Sequence, residues 1–115
     1  MAEDQTLVDY IQSGRHNLAA RRAEELGDFP RAVGLYAMAG EFRHAIQLAD
    51  QTGDNKRAES LTDTVKSLID ENVGNRNYCR AGLLALELGD FENAERYLGL
   101  SLAMDTRVII ENLKK

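Results

Sequence analysis

The sequence predicts an all-α fold built from helix hairpins. A phrase of glycine, an acidic residue and, in three of four copies, phenylalanine recurs along the chain. The copies begin at Gly27, Gly40, Gly53 and Gly89. Glycine ends a helix in the left-handed conformation without steric cost, and the acidic residue after it can cap the next helix.

Two further patterns support this prediction. An alanine follows three residues after the third member of each phrase, where a methyl group allows a neighbouring helix to approach closely; these are Ala32, Ala45, Ala58 and Ala94. Apolar residues recur at helical spacing, and no segment alternates as a strand does. We therefore expect eight helices, over about residues 4–12, 15–26, 29–39, 42–52, 55–71, 76–88, 91–103 and 106–114.

The first helix carries a narrow apolar stripe of Leu7, Val8 and Ile11, which predicts that it docks on its neighbour as an N-terminal cap. Pro30 suits the start of the third helix, because its missing N–H costs little there. In the fifth helix, the residues expected to face the core are Ala58, Leu61, Val65, Leu68 and Ile69.

The last predicted helix carries three successive apolar residues, Val108, Ile109 and Ile110. They cannot all share one face of a helix, so at least one is expected to stay exposed unless a second chain or a continuation of this chain covers it. We therefore expect a weak homodimer that associates through this end of the chain.

Residues 75–105 form the most complete repeat. It combines an aromatic residue and a glycine in its first helix, the glycine–acid–phenylalanine turn, and a small residue in its second helix: Tyr78, Gly82, Gly89, Asp90, Phe91, Ala94, Tyr97, Leu98, Ser101, Leu102 and Asp105. This pattern closely resembles the tetratricopeptide repeat, and the spacing of the glycine phrases fits its unit of roughly 34 residues.

Two less complete copies precede it. The copy at 13–39 keeps Ala19, Ala20, Gly27, Asp28, Phe29, Ala32, Tyr36 and Ala39. The copy at 39–74 keeps Phe42, Ala45, Ile46, Gly53, Asp54 and Ala58. The resemblance implies a single domain over 1–115, a right-handed α-solenoid of about three repeats with cap helices over 1–12 and 106–115.

Composition excludes several classes of function. A net charge of −5 argues against broad attraction to nucleic acid or anionic membranes. No apolar run approaches the ~20 residues that cross a bilayer, and the N-terminus lacks the features of a signal peptide. The single cysteine cannot form an internal disulfide. We therefore expect a cytoplasmic protein that neither inserts into membranes nor binds nucleic acid.

Motifs that carry chemistry are scarce. The glycines stand at helix ends and form no phosphate-binding loop. His16 and His44 have no metal-binding spacing, and packing or surface roles suit them and Cys79 better than catalysis. The sequence thus predicts no enzyme, no cofactor and no metal.

The resemblance also implies a binding surface. In tetratricopeptide arrays the first helix of each repeat lines a concave groove, which here would contain Asn17, Arg21, Arg43, Gln47, Arg76, Cys79, Arg80, Leu83 and Leu86. Arg76 and Arg80 lie one helical turn apart, and guanidinium groups suit carboxylates. Alternatively, these arginines form solvated pairs with acidic residues on neighbouring turns.

Two classes of function remain. The favoured one is a non-enzymatic interaction module that binds a peptide or helix of another protein in its groove. The alternative is a regulatory or ligand-sensing helical-repeat module, or the appendage of a larger enzyme. An open groove would favour the first class, and a closed pocket with convergent polar groups would favour the second.

Overall fold

A computed structural model of the chain describes residues 4–113, without the side chains of residues 105–109. This part of the chain forms seven α-helices and no β-strand, which confirms the all-α part of the predicted fold class; the right-handed solenoid stays a prediction. The helices are α1 (Gln5–Gln12), α2 (His16–Glu25), α3 (Phe29–Met38), α4 (Phe42–Gln51), α5 (Asn55–Gly74), α6 (Tyr78–Glu87) and α7 (Phe91–Leu113).

The chain divides into two compact units, Met1–Thr62 and Asp63–Lys115, with the boundary inside α5. In the first, unit 1, α1 packs on α2, α2 on α3, and α3 on α4. In the second, unit 2, α6 packs on α7. In each of these four pairs, the two helices follow one another along the chain. The single domain over 1–115 and its division into three repeats stay predictions.

The turns between helices are built alike. Each contains one residue with positive φ, and the N–H of the next residue donates to the carbonyl oxygen five positions earlier, as Asp28 does to Ala23 at 2.9 Å and Asp90 to Ala85 at 3.0 Å. This bond satisfies carbonyl groups that the end of a helix leaves unpaired. The positive φ values of Gly27, Gly40 and Gly89, between 75° and 81°, confirm the turns that the glycine phrases predicted.

One turn has a residue other than glycine at the positive-φ position. Between α5 and α6 the positive-φ position belongs to Arg76, with φ of 60°, and the N–H of Asn77 donates to the carbonyl oxygen of Asn72 at 2.8 Å. The hydrogen bond is therefore kept, although an L side chain in this backbone region costs roughly 1–2 kcal/mol relative to glycine.

The acidic residues of three phrases cap the next helix, as expected. Asp28, Asp54 and Asp90 accept hydrogen bonds from backbone N–H groups three residues later, at 3.2–3.4 Å. Glu41 is the exception, because its side chain makes no capping bond to α4. Aspartate is a preferred N-cap residue and glutamate is not, which is consistent with this difference.

Small residues allow the helices to pack closely. The four predicted interface alanines are all buried, as are Ala19, Ala20 and Ala23 of α2. The core of unit 1 also contains Tyr36, Val33 and Leu7, and the burial of Leu7 confirms that α1 docks on the rest of the unit. Among the side chains that the structure describes, every buried one is apolar apart from the phenol of Tyr36.

Among the glycines that the structure describes, Gly82 has the closest neighbours. It lies where α6 packs on α7 in unit 2. A Cβ atom on Gly82 would lie 2.7 Å from Cγ of Leu98 and 3.2 Å from the carbonyl oxygen of Ala94. Gly82 is therefore required for the closeness of the two helices, because no other residue lacks a Cβ atom.

One predicted helix boundary near the end of the chain is wrong. We expected a helix over 91–103 and a separate cap helix over 106–115, but α7 runs from Phe91 to Leu113 without a break. The repeat pattern suggested the boundary, yet residues 103–106 contain neither glycine nor proline to end a helix. Residues 114–115 lie outside the described part.

An ion pair holds α1 on α2. The Asp4 carboxylate caps α1 by accepting from the Leu7 N–H at 2.9 Å, and it also binds the Arg22 guanidinium through two hydrogen bonds of 2.7 and 3.2 Å. Arg22 pairs in addition with Glu25 at 3.0 Å. The hydrogen bonds from Arg22 and from the Leu7 N–H lower the pKa of Asp4 from 3.8 to about 2.

We expect the stability contributed by this pair to be lost as the pH falls from 3.8 to about 2. A carboxylate with a lower pKa in the folded state contributes stability above its ordinary pKa, and this stability disappears as the pH falls through the folded-state value. Urea unfolding followed by circular dichroism should show a lower midpoint for Asp4→Asn than for wild type at neutral pH, and a smaller difference at low pH.

Asp9→Asn is the matched control, because Asp9 lies in the same helix and accepts a side-chain hydrogen bond from Gln5 instead of an arginine. Its unfolding midpoint should follow that of wild type through the same range. A difference between Asp4→Asn and wild type that does not change with pH would refute the role of the carboxylate.

Candidate functional site

The predicted groove residues fall into two sets, one in each unit. Unit 1 contains Asn17 and Arg21 on α2, with Arg43 and Gln47 on α4; these four residues are called the α2–α4 face. Unit 2 contains a second set, called the α6 face, formed by Arg76 and by Cys79, Arg80, Leu83 and Leu86 of α6.

All four side chains of the α2–α4 face are exposed. The two helices are linked beside this face, where Nε2 of His44 lies 3.5 Å from Oε1 of Glu24. Glu24 follows Arg21 by three residues on α2, and His44 follows Arg43 on α4. The end of α2 and the start of α4 thus meet at Glu24 and His44, two residues outside the predicted groove set.

Tyr36 of α3 supports this link from the interior. Its ring stacks on the imidazole of His44 with centroids 4.0 Å apart, and its hydroxyl donates to Oε2 of Glu24 at 3.1 Å. Burial raises the pKa of Tyr36 to about 12, and the hydrogen bond to Glu24 contributes to the rise. The phenol is therefore protonated at physiological pH, and the three residues tie α2, α3 and α4 together.

Sequence reasoning missed this cluster. It gave His44 a packing or surface role, which agrees with the stacking, but it did not connect His44 to Glu24 or Tyr36. The three residues are 8 to 20 positions apart and occupy three helices. Aligning the helices of neighbouring repeats by their positions in the repeat was the one signal that could have indicated that these three residues meet.

The α6 face lies opposite the buried side of its helix. Cys79, Arg80 and Leu83 are exposed and Leu86 is half-buried, whereas Ala81, Gly82, Leu84 and Ala85 are buried. Leu83 keeps 53% of its surface exposed, which is high for a leucine in the middle of a helix that packs on another. Arg76 is also exposed, but the prediction that it lies one helical turn before Arg80 is wrong, because Arg76 occupies the left-handed position of the turn before α6.

Three of the four predicted groove arginines make no ion pair with another described residue. Within the described residues, the side chains of Arg21, Arg76 and Arg80 make no ion pair and no hydrogen bond. Arg22, next to Arg21, shows the contrast, because it is held by two carboxylates. The alternative explanation, pairing with acids on neighbouring turns, is therefore not observed for these three.

The predicted self-association site is described in part. Ile110 is exposed, at 47% of its surface, whereas the side chains of Val108 and Ile109 lie outside the described residues. Leu102 and Leu113 of the same helix are also exposed. Self-association through this end of α7 stays a prediction.

Metal clusters and membrane-spanning helices are not found within the described residues 4–113. No three His, Cys, Asp or Glu side chains gather there to hold a metal ion. No helix among the described residues combines the length and the apolar character that a membrane span needs. No family model, curated protein or solved structure matches the chain.

Proposed function

We propose that the chain is a tetratricopeptide-like interaction module without enzymatic activity, and that its α6 face binds a short acidic and apolar segment of another protein. The observation that carries this proposal is the exposure of Arg80 beside Leu83, together with the lack of a described ion-pair partner for Arg76 and Arg80.

The two arginines supply the charge. Arg76 lies in the turn before α6 and Arg80 in its first turn, and each guanidinium can donate two hydrogen bonds to one carboxylate. Because neither is engaged within the described chain, an incoming carboxylate need not displace an internal partner. Such pairs steer the encounter and fix the register of the bound segment.

Leu83 and Leu86 supply the apolar part. They follow Arg80 on α6 and remain exposed and half-buried, respectively. Covering them with an aliphatic or aromatic side chain would remove apolar surface from water, which slows dissociation. The α2–α4 face of unit 1 has related chemistry, because Arg21 makes no ion pair with the described residues and the amides of Asn17 and Gln47 can bind a peptide backbone.

The test replaces both arginines of the α6 face. Labelled peptides that combine Asp or Glu with Leu or Phe are compared with versions that carry Asn or Gln, by fluorescence anisotropy at several salt concentrations. We expect the acidic peptides to bind, and the Arg76→Ala/Arg80→Ala variant to bind them about tenfold more weakly with a smaller salt dependence. Its melting temperature should change by no more than about two degrees, since both side chains are exposed.

A control with the same change in net charge is Arg15→Ala/Arg96→Ala, because both residues are exposed and lie outside the two faces. This variant should bind as wild type does. Equal weakening in both double variants, or equal binding of acidic and amide peptides, would reject the α6 face. Thermal stabilisation by small molecules with no peptide binding would favour the ligand-sensing alternative.

A further inference from the structure

Unit 2 contains a cleft that the proposed function does not use. It has a volume of about 260 Å³ and lies between α5, the end of α6 and the first turns of α7. Pockets for drug-sized ligands usually measure about 300–1,000 Å³. The size of the cleft therefore suits one large side chain of a partner protein.

The floor of the cleft is apolar. Ile69 is buried, while Leu88 and the ring of Tyr97 are half-buried. An inserted aliphatic chain would cover these groups, and the face of the Tyr97 ring can attract a cation.

The rim of the cleft is charged, with an excess of carboxylates. The lining contains two carboxylates, those of Asp70 and Asp90, and one ammonium group, that of Lys66. Asp90 is already engaged, because its two oxygens accept from the backbone N–H and the side-chain amide of Asn93 at 3.2 and 2.7 Å.

Asp70 is the carboxylate left available. No ion pair or hydrogen bond involves its side chain or that of Lys66 among the described residues. Lys66 precedes Asp70 by four positions on α5, which is the weaker order for a helical ion pair.

We propose that this cleft binds an arginine side chain of a partner protein. The aliphatic part of the arginine lies on Ile69 and Leu88, its guanidinium plane stacks on Tyr97, and its N–H groups donate to Asp70. Arginine suits the cleft better than lysine, because a planar guanidinium can stack and form a forked hydrogen bond at once. This surface recognises a basic residue and is independent of the acidic segment proposed for the α6 face.

The experiment uses the full chain labelled with ¹⁵N and three probes: N-acetylarginine amide, N-acetyllysine amide and uncharged N-acetylnorleucine amide. Amide chemical shifts are followed up to probe concentrations on the order of 50 mM, because one side chain gives millimolar affinity. We expect saturable shifts within residues 66–70, 85–90 and 93–97. Arginine amide should bind about threefold more tightly than norleucine amide.

Two variants test the assignment of the carboxylate. Asp70→Asn should remove the preference for the arginine probe. Glu71→Gln should keep it, because Glu71 is an exposed neighbour on α5 that does not line the cleft. Shifts that do not saturate, that map elsewhere, or that are equal for arginine and norleucine amides would overturn the proposal, as would an unchanged preference in Asp70→Asn.

Discussion

Replacing Gly82 with alanine is expected to lower the free energy of unfolding by about 1–3 kcal/mol. The added Cβ atom would lie 2.7 Å from Cγ of Leu98 and 3.2 Å from the carbonyl oxygen of Ala94, so α6 and α7 would have to move apart or Leu98 would have to leave its position. Urea unfolding followed by circular dichroism measures the change.

Gly99→Ala is the matched control. Gly99 lies within α7, and a Cβ atom there would meet nothing within 4 Å. The same substitution should therefore raise the stability by up to about 1 kcal/mol, because alanine favours the helix more than glycine does. Equal effects of the two substitutions would show that the seam at Gly82 is not close-packed.

Replacing Arg76 with glycine is expected to raise the free energy of unfolding by about 1 kcal/mol. Arg76 has φ of 60°, in the backbone region where the other turns between helices place glycine. Relief of this strain stabilises the folded state. The larger conformational entropy that glycine loses on folding offsets only part of this gain. Chemical denaturation at neutral pH is the measurement.

Arg80→Gly controls for the loss of an arginine side chain. Arg80 lies inside α6, so glycine there should cost up to about 1 kcal/mol, the opposite sign from Arg76→Gly. A less stable Arg76→Gly would mean that the arginine side chain itself stabilises the turn. If Arg76→Gly is more stable but binds acidic peptides less well, the arginine is retained at this position for binding.

The helix ends were predictable where the signal was local. A glycine followed by an acidic residue specifies a left-handed turn, which Gly27, Gly40, Gly53 and Gly89 all adopt. Where that acidic residue is aspartate, its side chain also caps the next helix. The turn at Arg76 has no such signal. The sequence therefore placed the end of the fifth helix near residue 71, whereas α5 continues to Gly74.

The wrong helix boundary near residue 105 came from relying on the repeat period instead of on local residues. There the repeat period suggested a boundary near residue 105, but a period describes a family resemblance and does not break a helix. The local residues decide the outcome, and Met104 to Thr106 offer no glycine or proline. The helix α7 therefore continues to Leu113.

The candidate surfaces were predictable only in part. Exposure of Arg80 and Leu83 follows from the spacing of buried residues along α6, which the sequence contains. The bonds of Asp4 to Arg22 and of Tyr36 to Glu24 join residues 18 and 12 positions apart. They depend on how helices pack, and composition and spacing do not determine which partners meet.

The shared geometry of the turns has a consequence for how such a chain can change in length. Each turn contains one residue with positive φ, whether glycine or Arg76, and the same hydrogen bond to the carbonyl five positions earlier, so the junctions are structurally interchangeable. Duplication or deletion of a gene segment that begins and ends at equivalent turn positions would create no new kind of junction. Only the helix surfaces that the duplication or deletion brings into contact would have to adapt.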